Sequence, residues 1–159
     1  MKLIGALLLL CAALTLRRGL LRRQGEVIAA GEELCRALDR LHQGIYRLRS
    51  PLPELLALCR EEAALTAPFW GAVAAGLQAR RPFGAVWAEA RRLLPEPYGT
   101  LLAPVGAALT AGEREDLLLL TREEVYHAVQ EGRRQRGERG RLVTALCLSG
   151  ALLAIVVLL

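Results

Sequence analysis

The strongest constraint on this chain is the stretch "LVTALCLSGALLAIVVLL", residues 142–159, eighteen positions without a charge. A second apolar run, residues 3–16, lies in the opening "MKLIGALLLLCAALTLRRGLLRR". A helix rises about 1.5 Å per residue against roughly 30 Å of hydrocarbon, so eighteen residues reach about 27 Å and fourteen about 21 Å. The second run nearly spans by itself. The first spans if Leu20 and Leu21 extend it while the flanking arginines snorkel to the headgroups. The sequence therefore predicts a transmembrane helix at each tip. The 159 residues leave room between them for about one small domain.

A signal peptide is the rival reading of the first run, since Lys2, a short apolar stretch and the small residues Ala12 and Ala13 also fit one. It leads to an exported helical domain anchored by its tail. Four arginines within residues 17–23, directly after the apolar run, look more like a stop-transfer collar. Twin-arginine export wants the arginine pair ahead of the run, and a lipoprotein site wants a small residue where Leu10 precedes Cys11.

The formal charge of +5 invites a nucleic-acid reading, but its distribution argues against one. Residues 17–23 carry four arginines, and residues 133–141 carry five against Glu138 alone, whereas residues 24–132 hold 11 arginines and 15 carboxylates. The basic surplus is two collars around an acidic body. A nucleic-acid face needs its cations on the domain itself. Arginine beside an apolar span marks the cytoplasmic side, and both collars lie on the body's side of their spans. The expected division is residues 1–23 as N-terminal span and collar, 24–132 as a cytoplasmic domain, and 133–159 as collar and C-terminal span.

The body reads as helices. Val27, Gly31, Leu34, Leu38, Leu41, Ile45 and Leu48 step by four and three, making one apolar stripe, with Glu32, Glu33, Arg36, Asp39, Arg40 and Gln43 opposite. Ser50 and Pro51 read as a cap and first-turn proline for a helix on Leu52, Leu55, Leu56, Cys59 and Ala63. Thr66 and Pro68 open a third helix with Phe69, Trp70, Val73 and Leu77 inward. After Pro82 a fourth buries Phe83, Val86, Trp87, Ala90 and Leu94, and Pro95 and Pro97 end it. A fifth is expected over residues 98–109. A sixth opens at Glu113, with carboxylates in its first turn to suit the helix dipole, and continues toward the final span, with Gly132, Gly137 and Gly140 as a candidate hinge. The fold class is all-α: a six-helix bundle flanked by an N-terminal and a C-terminal transmembrane helix.

Chemistry is sparse. Cys11 and Cys147 fall in the apolar tips, Cys35 and Cys59 on or beside apolar helix faces, and no Cys-x-x-Cys occurs, which suits buried thiols in a reducing compartment. Ser149 lies in the last span and Ser50 serves a helix start, so a Ser/His/Asp site has no nucleophile. His42 and His127 read as core-edge or surface histidines. Glu61 with Glu62, and Glu123 with Glu124, are adjacent on helices and point about 100° apart, so neither pair converges as an acid/base dyad. No glycine cluster is followed by a phosphate-binding lysine. The expectation is a protein that is not an enzyme and holds no cofactor or metal.

At "LCRALDRLHQGIYRLRSPLPELLALC", and again at "FGAVWAEA", the chain resembles the stage III sporulation protein AB family of endospore-forming bacteria. The likeness covers essentially the whole length, and residues 50–52 and Trp87 carry its sharpest points. The family is in turn similar to the cytoplasmic domains of inner-membrane platform proteins of type II secretion and type IV pilus machines. The resemblance implies a mother-cell membrane component of the channel to the forespore. Its domain would face the cytoplasm as an adaptor between a secretion-type ATPase and the ring-forming stage III sporulation membrane proteins. Self-association through the spans has the small-xxx-small pair Ala145 with Ser149 to support it. The candidate docking surface is Arg47, Arg49 and Glu54 together with Glu113, Arg114 and Asp116.

Overall fold

The computed structural model describes residues 2–111 and 115–158, and side chains mainly from residue 15 to residue 150. Among these the chain is helical and has no strand. It divides into two compact units, Val27–Gln130 and the paired ends Met1–Glu26 with Glu131–Leu159. Helices α1 (Lys2–His42) and α7 (Glu115–Leu158) each contribute to both; α2 (Leu52–Glu62), α3 (Ala67–Gln78), α4 (Phe83–Ala90), α5 (Tyr98–Leu101) and α6 (Ala103–Ala111) belong to the first.

The α1 stripe is realised at Leu34, Leu38 and Leu41, all fully buried against Leu55, Leu56 and Cys59 of α2. Burying a leucine contributes roughly 1.5–3 kcal/mol, which is why spacing outweighs the poor helix formers at its end. The stripe does not continue to Leu48, which is 73% exposed. The cause is a π-helical turn, Gln43–Arg47, in which the Leu48 amide donates to the Gln43 carbonyl (3.1 Å), five residues back instead of four. The wider turn changes the phase of the helix, so the three-and-four pattern fails beyond Ile45.

The start of α2 also differs from expectation. Ser50 is not its cap: Pro51 occupies that position in extended conformation, and its carbonyl accepts from the amides of Glu54 (3.1 Å) and Leu55 (3.3 Å). Pro53 takes the first turn, where a missing N–H costs nothing.

The centre of the larger unit is aromatic. Phe69 and Trp70 of α3 meet Trp87 of α4, with edge-on centroid separations of 5.1 Å and 6.2 Å, and Phe83 stacks on Trp87 at 5.5 Å. Trp87 Nε1 donates to the Leu102 carbonyl at 2.8 Å. That carbonyl lies at the break in the expected fifth helix, which the structure divides into α5 and α6. Pro104 cannot donate to the Thr100 carbonyl, and its ring would crowd that group, so the helical ladder is interrupted just ahead of it.

Leu118, Thr121, Val125 and Val129 form the buried stripe of α7. Thr121 joins it by turning its hydroxyl back to the Leu117 carbonyl (2.8 Å). The helix runs unbroken through Gly132, Gly137 and Gly140. Among the described residues no helix is long and apolar enough to cross a membrane. The two expected spans, residues 3–16 and 142–159, fall largely on side chains outside those described.

Candidate partner-docking site

The end of α1 and the start of α7 come together in the larger unit. His42 Nε2 lies 2.7 Å from Glu115 Oε1, joining residues 73 positions apart in sequence. One turn further along, the Tyr46 ring stands 5.5 Å from the His42 ring. Burial pushes the Tyr46 phenol up, and the nearby carboxylates of Glu115 and Asp116 push it further the same way. Glu115 and Asp116 occupy the first turn of α7, where unpaired amides favour negative charge.

The sequence-selected cations flank this junction. Arg47 closes the π-helical turn and Arg49 follows it, both exposed, and Arg49 has a φ of 52°. A left-handed arginine costs roughly 1–2 kcal/mol relative to glycine, so the turn's hydrogen bonds hold it there. Those bonds are the Leu48 amide to Gln43 and the Ser50 amide to the Gly44 carbonyl (2.9 Å). Glu54 sits exposed in the first turn of α2. Gly44 explains how α2 comes so close: a Cβ there would collide with the Leu55 side chain. Of the six selected residues, Arg47, Arg49, Glu54 and Asp116 are therefore solvent-facing, and Glu113 and Arg114 lie outside the described residues.

His42, Tyr46 and Glu115 were not selected from the sequence, yet they are the groups that tie the two segments together. The available signal was His42 itself, a titratable residue four positions before a tyrosine near the end of a stripe. Its partner, far along the chain, left no local trace.

The chemistry of this surface is mixed charge over a fixed backbone. Arg122 Nε lies 2.9 Å from Asp39 Oδ1, and its guanidinium sits 5.9 Å from the Tyr126 ring centre, which ties α7 to α1 one to two turns further on. Among the described residues no group of three histidine, cysteine or acidic side chains is placed to hold a metal. Burial, partly opposed by Arg40 and reinforced by Glu62, pushes the Cys59 thiol up to about 11, so at neutral pH it is protonated and a poor nucleophile. Burial likewise pushes the Cys35 thiol up.

An all-helical body with paired terminal helices defines, among the described residues, a helical-bundle protein. Over residues 2–159 the chain matches the stage III sporulation protein AB family, and it belongs to that family. No curated protein and no solved structure matches it.

Proposed function

We propose that this chain is a non-enzymatic platform of a sporulation channel related to type II secretion. In this reading it sits in the mother-cell membrane around the forespore and couples a cytoplasmic secretion-type ATPase to the other stage III sporulation membrane proteins. The spans are the apolar stretches of residues 3–16 and 142–159, and the arginine collars orient the body toward the cytoplasm. Two tethers raise the body's effective concentration for a partner at the membrane surface. The observation that carries the docking assignment is the His42–Glu115 contact, which joins the end of α1, just ahead of the Arg47/Arg49 turn, to the first turn of α7. A patch with both signs of charge steers and orients a partner more than it adds raw affinity.

The test is charge reversal, Arg47→Glu with Arg49→Glu, in the full chain, with ATPase binding and helix content both recorded. Expected is binding weakened by about tenfold or more, since close interfacial charge pairs couple by about 1.5 kcal/mol and upward. Unchanged binding with unchanged helix content would remove the site assignment. Membrane orientation is read separately from cysteines placed at Gly112 and after Leu159 on a cysteine-free background, probed with an impermeant reagent in intact cells. Protection of Gly112 with labelling of the tail supports the platform, and the reverse pattern overturns it.

A further inference from the structure

Leu48 is the most exposed large apolar side chain among the described residues, at 73%. A single exposed leucine is ordinary on a protein surface and carries nothing by itself. What sets this one apart is the backbone that presents it. The π-helical turn Gln43–Arg47 takes Leu48 out of phase with the buried Leu34, Leu38 and Leu41, and fixes its amide to the Gln43 carbonyl at 3.1 Å. On its other side Arg49 holds a φ of 52°, in the region that favours glycine, and the Ser50 amide donates to the Gly44 carbonyl at 2.9 Å. Turns of π type inside helices are rare and concentrate at functional sites, and strained backbone does the same. Both occur between Gln43 and Arg49, around a side chain that takes no part in the core.

The charges beside it are of one sign. Arg47 and Arg49 flank the leucine, both exposed, and neither has a hydrogen-bond or ion-pair partner among the described residues. Their guanidiniums are open to carboxylates from outside the chain, which arginine binds in paired, charge-assisted hydrogen bonds.

Placement decides between a lipid surface and a protein. The chain enters the larger unit at Val27 and leaves it at Gln130. Across that unit α1 and α7 run antiparallel, with Gly31 close to Val129, Asp39 paired with Arg122 and His42 with Glu115. About 22 Å of helix separates Val27 from His42. The turn therefore lies at the end opposite the points of entry and exit, where a soluble protein has freer access than a lipid surface.

We propose that Leu48 is the apolar anchor of the docking turn, seated in an apolar pocket rimmed by carboxylates on a soluble protein partner. The inference rests on the platform reading above, in which that partner is the ATPase, and it divides the roles within the turn. The leucine supplies the desolvated centre of the contact and the arginines its polar rim. The arginines act chiefly on encounter, the leucine on dissociation.

The experiment measures ATPase binding to the full chain in phosphatidylglycerol nanodiscs, for wild type, Leu48→Ser, Leu48→Met and Leu93→Ser. Leu93 is 58% exposed elsewhere in the body, so its variant removes comparable apolar area from another surface. Leu48→Ser should weaken binding about tenfold, or about 1.4 kcal/mol, which burial of one leucine accounts for, with helix content and thermal midpoint unchanged. Leu48→Met, which conserves volume, should bind within about twofold of wild type, and Leu93→Ser should bind as wild type. Raised salt should erode the effect of Arg47→Glu/Arg49→Glu and leave that of Leu48→Ser. An equal loss in Leu93→Ser, or a lowered thermal midpoint in Leu48→Ser, overturns the anchor. Leu48→Cys on a cysteine-free background, labelled with acrylodan, separates pocket from lipid. A blue shift before ATPase is added marks insertion into the nanodisc and overturns the pocket, whereas a shift only on adding ATPase supports it. A wild-type chain that does not bind the ATPase removes the platform reading and the anchor together; wild-type binding that Leu48→Ser preserves removes the anchor alone.

Discussion

Glu33 of α1 closes the turn that precedes α3 through Thr66: its Oε2 accepts from the Thr66 amide and from the Thr66 hydroxyl, both at 3.0 Å. The amides of Ala64 (3.2 Å) and Leu65 (3.1 Å) donate to the same carboxylate. One side chain thereby satisfies three consecutive backbone donors ahead of a helix and fixes α1 against the α2–α3 connection.

The electrostatic consequence gives a first prediction. Partial burial raises the Glu33 pKa, and the hydrogen bonds from Thr66, Leu65 and Ala64 outweigh it, leaving the carboxyl below its ordinary 4.5. A depressed carboxyl stabilises the fold above its unfolded pKa and loses that contribution as pH falls through the folded value. Glu33→Gln should cost about 1 kcal/mol at neutral pH, near the low end for a charged acceptor because the group is partly solvated. Denaturant melts of both proteins should converge as pH drops below 4.5, the ordinary value. A gap independent of pH would show that the charge is not what matters.

Close approach of helices sets a second. A Cβ on Gly31 would collide with the Tyr98 ring and with a γ-methyl of Val129, so α1 meets α5 and α7 at a residue with no side chain. Gly31→Ala should destabilise by about 1–3 kcal/mol, overriding the roughly 1 kcal/mol that alanine gains over glycine in a helix. Gly84, with nothing within 4 Å of its would-be Cβ, is the comparison. Gly84→Ala should leave stability unchanged or raise it by about 0.5 kcal/mol. Thermal midpoints of the two variants moving in the same direction would contradict the packing argument.

What the sequence made legible follows the physics of periodicity. Leu34, Leu38 and Leu41 were readable because burial repeats with the helix turn, and Phe69, Trp70 and Trp87 because large aromatics at that spacing have nowhere else to go. Leu48 was misread because one residue extra in a turn leaves no mark in composition, only in the hydrogen-bond ladder. Ser50 was misread because a cap is a matter of backbone angle, and Pro51 took the extended position first. Glu33 was placed on the polar side of its helix, which its partial exposure supports, but its role depends on a loop more than thirty residues away. The same limit hid the His42–Glu115 contact at the candidate site, while the exposed charges of Arg47, Arg49, Glu54 and Asp116 were visible from sequence alone.

The end of α3 yields a third prediction. The Arg80 amide donates to the Leu77 carbonyl (2.9 Å) and the Arg81 amide to the Gly76 carbonyl (3.1 Å), the paired bonds of a Schellman motif. Its left-handed position is held by Arg80, with φ of 54°, where glycine would carry no Cβ penalty. Arg80→Gly should raise stability by about 0.5–1 kcal/mol, whereas Arg80→Ala should not. The check is the denaturation midpoint at constant slope; loss of stability in the glycine variant would mean that the arginine side chain contributes more than its backbone costs.

The two buried tryptophans supply the fourth prediction, because they differ in one hydrogen bond. Trp70 is 0% exposed and Trp87 is 1% exposed, and both lie in the same aromatic cluster, so replacing either with phenylalanine removes similar apolar volume. Trp87 Nε1, however, donates to the Leu102 carbonyl at 2.8 Å, while Trp70 Nε1 has no hydrogen-bond partner among the described residues. Trp87→Phe removes the indole's bond to the Leu102 carbonyl at the joint between α5 and α6, a loss of about 0.5–1.5 kcal/mol beyond the lost packing. Trp70→Phe removes a donor that gained nothing and incurs the packing loss alone. Equilibrium unfolding should therefore rank Trp87→Phe as the more damaging change by about 0.5–1.5 kcal/mol. Amide hydrogen exchange localises the effect: the Trp87 variant should lose protection first in α6, whose Gly106 lies so close to the indole that a Cβ there would come within 2.6 Å of it. Equal costs, or a larger cost at Trp70, would show that the Leu102 carbonyl does not depend on the indole and that the joint is held by packing alone.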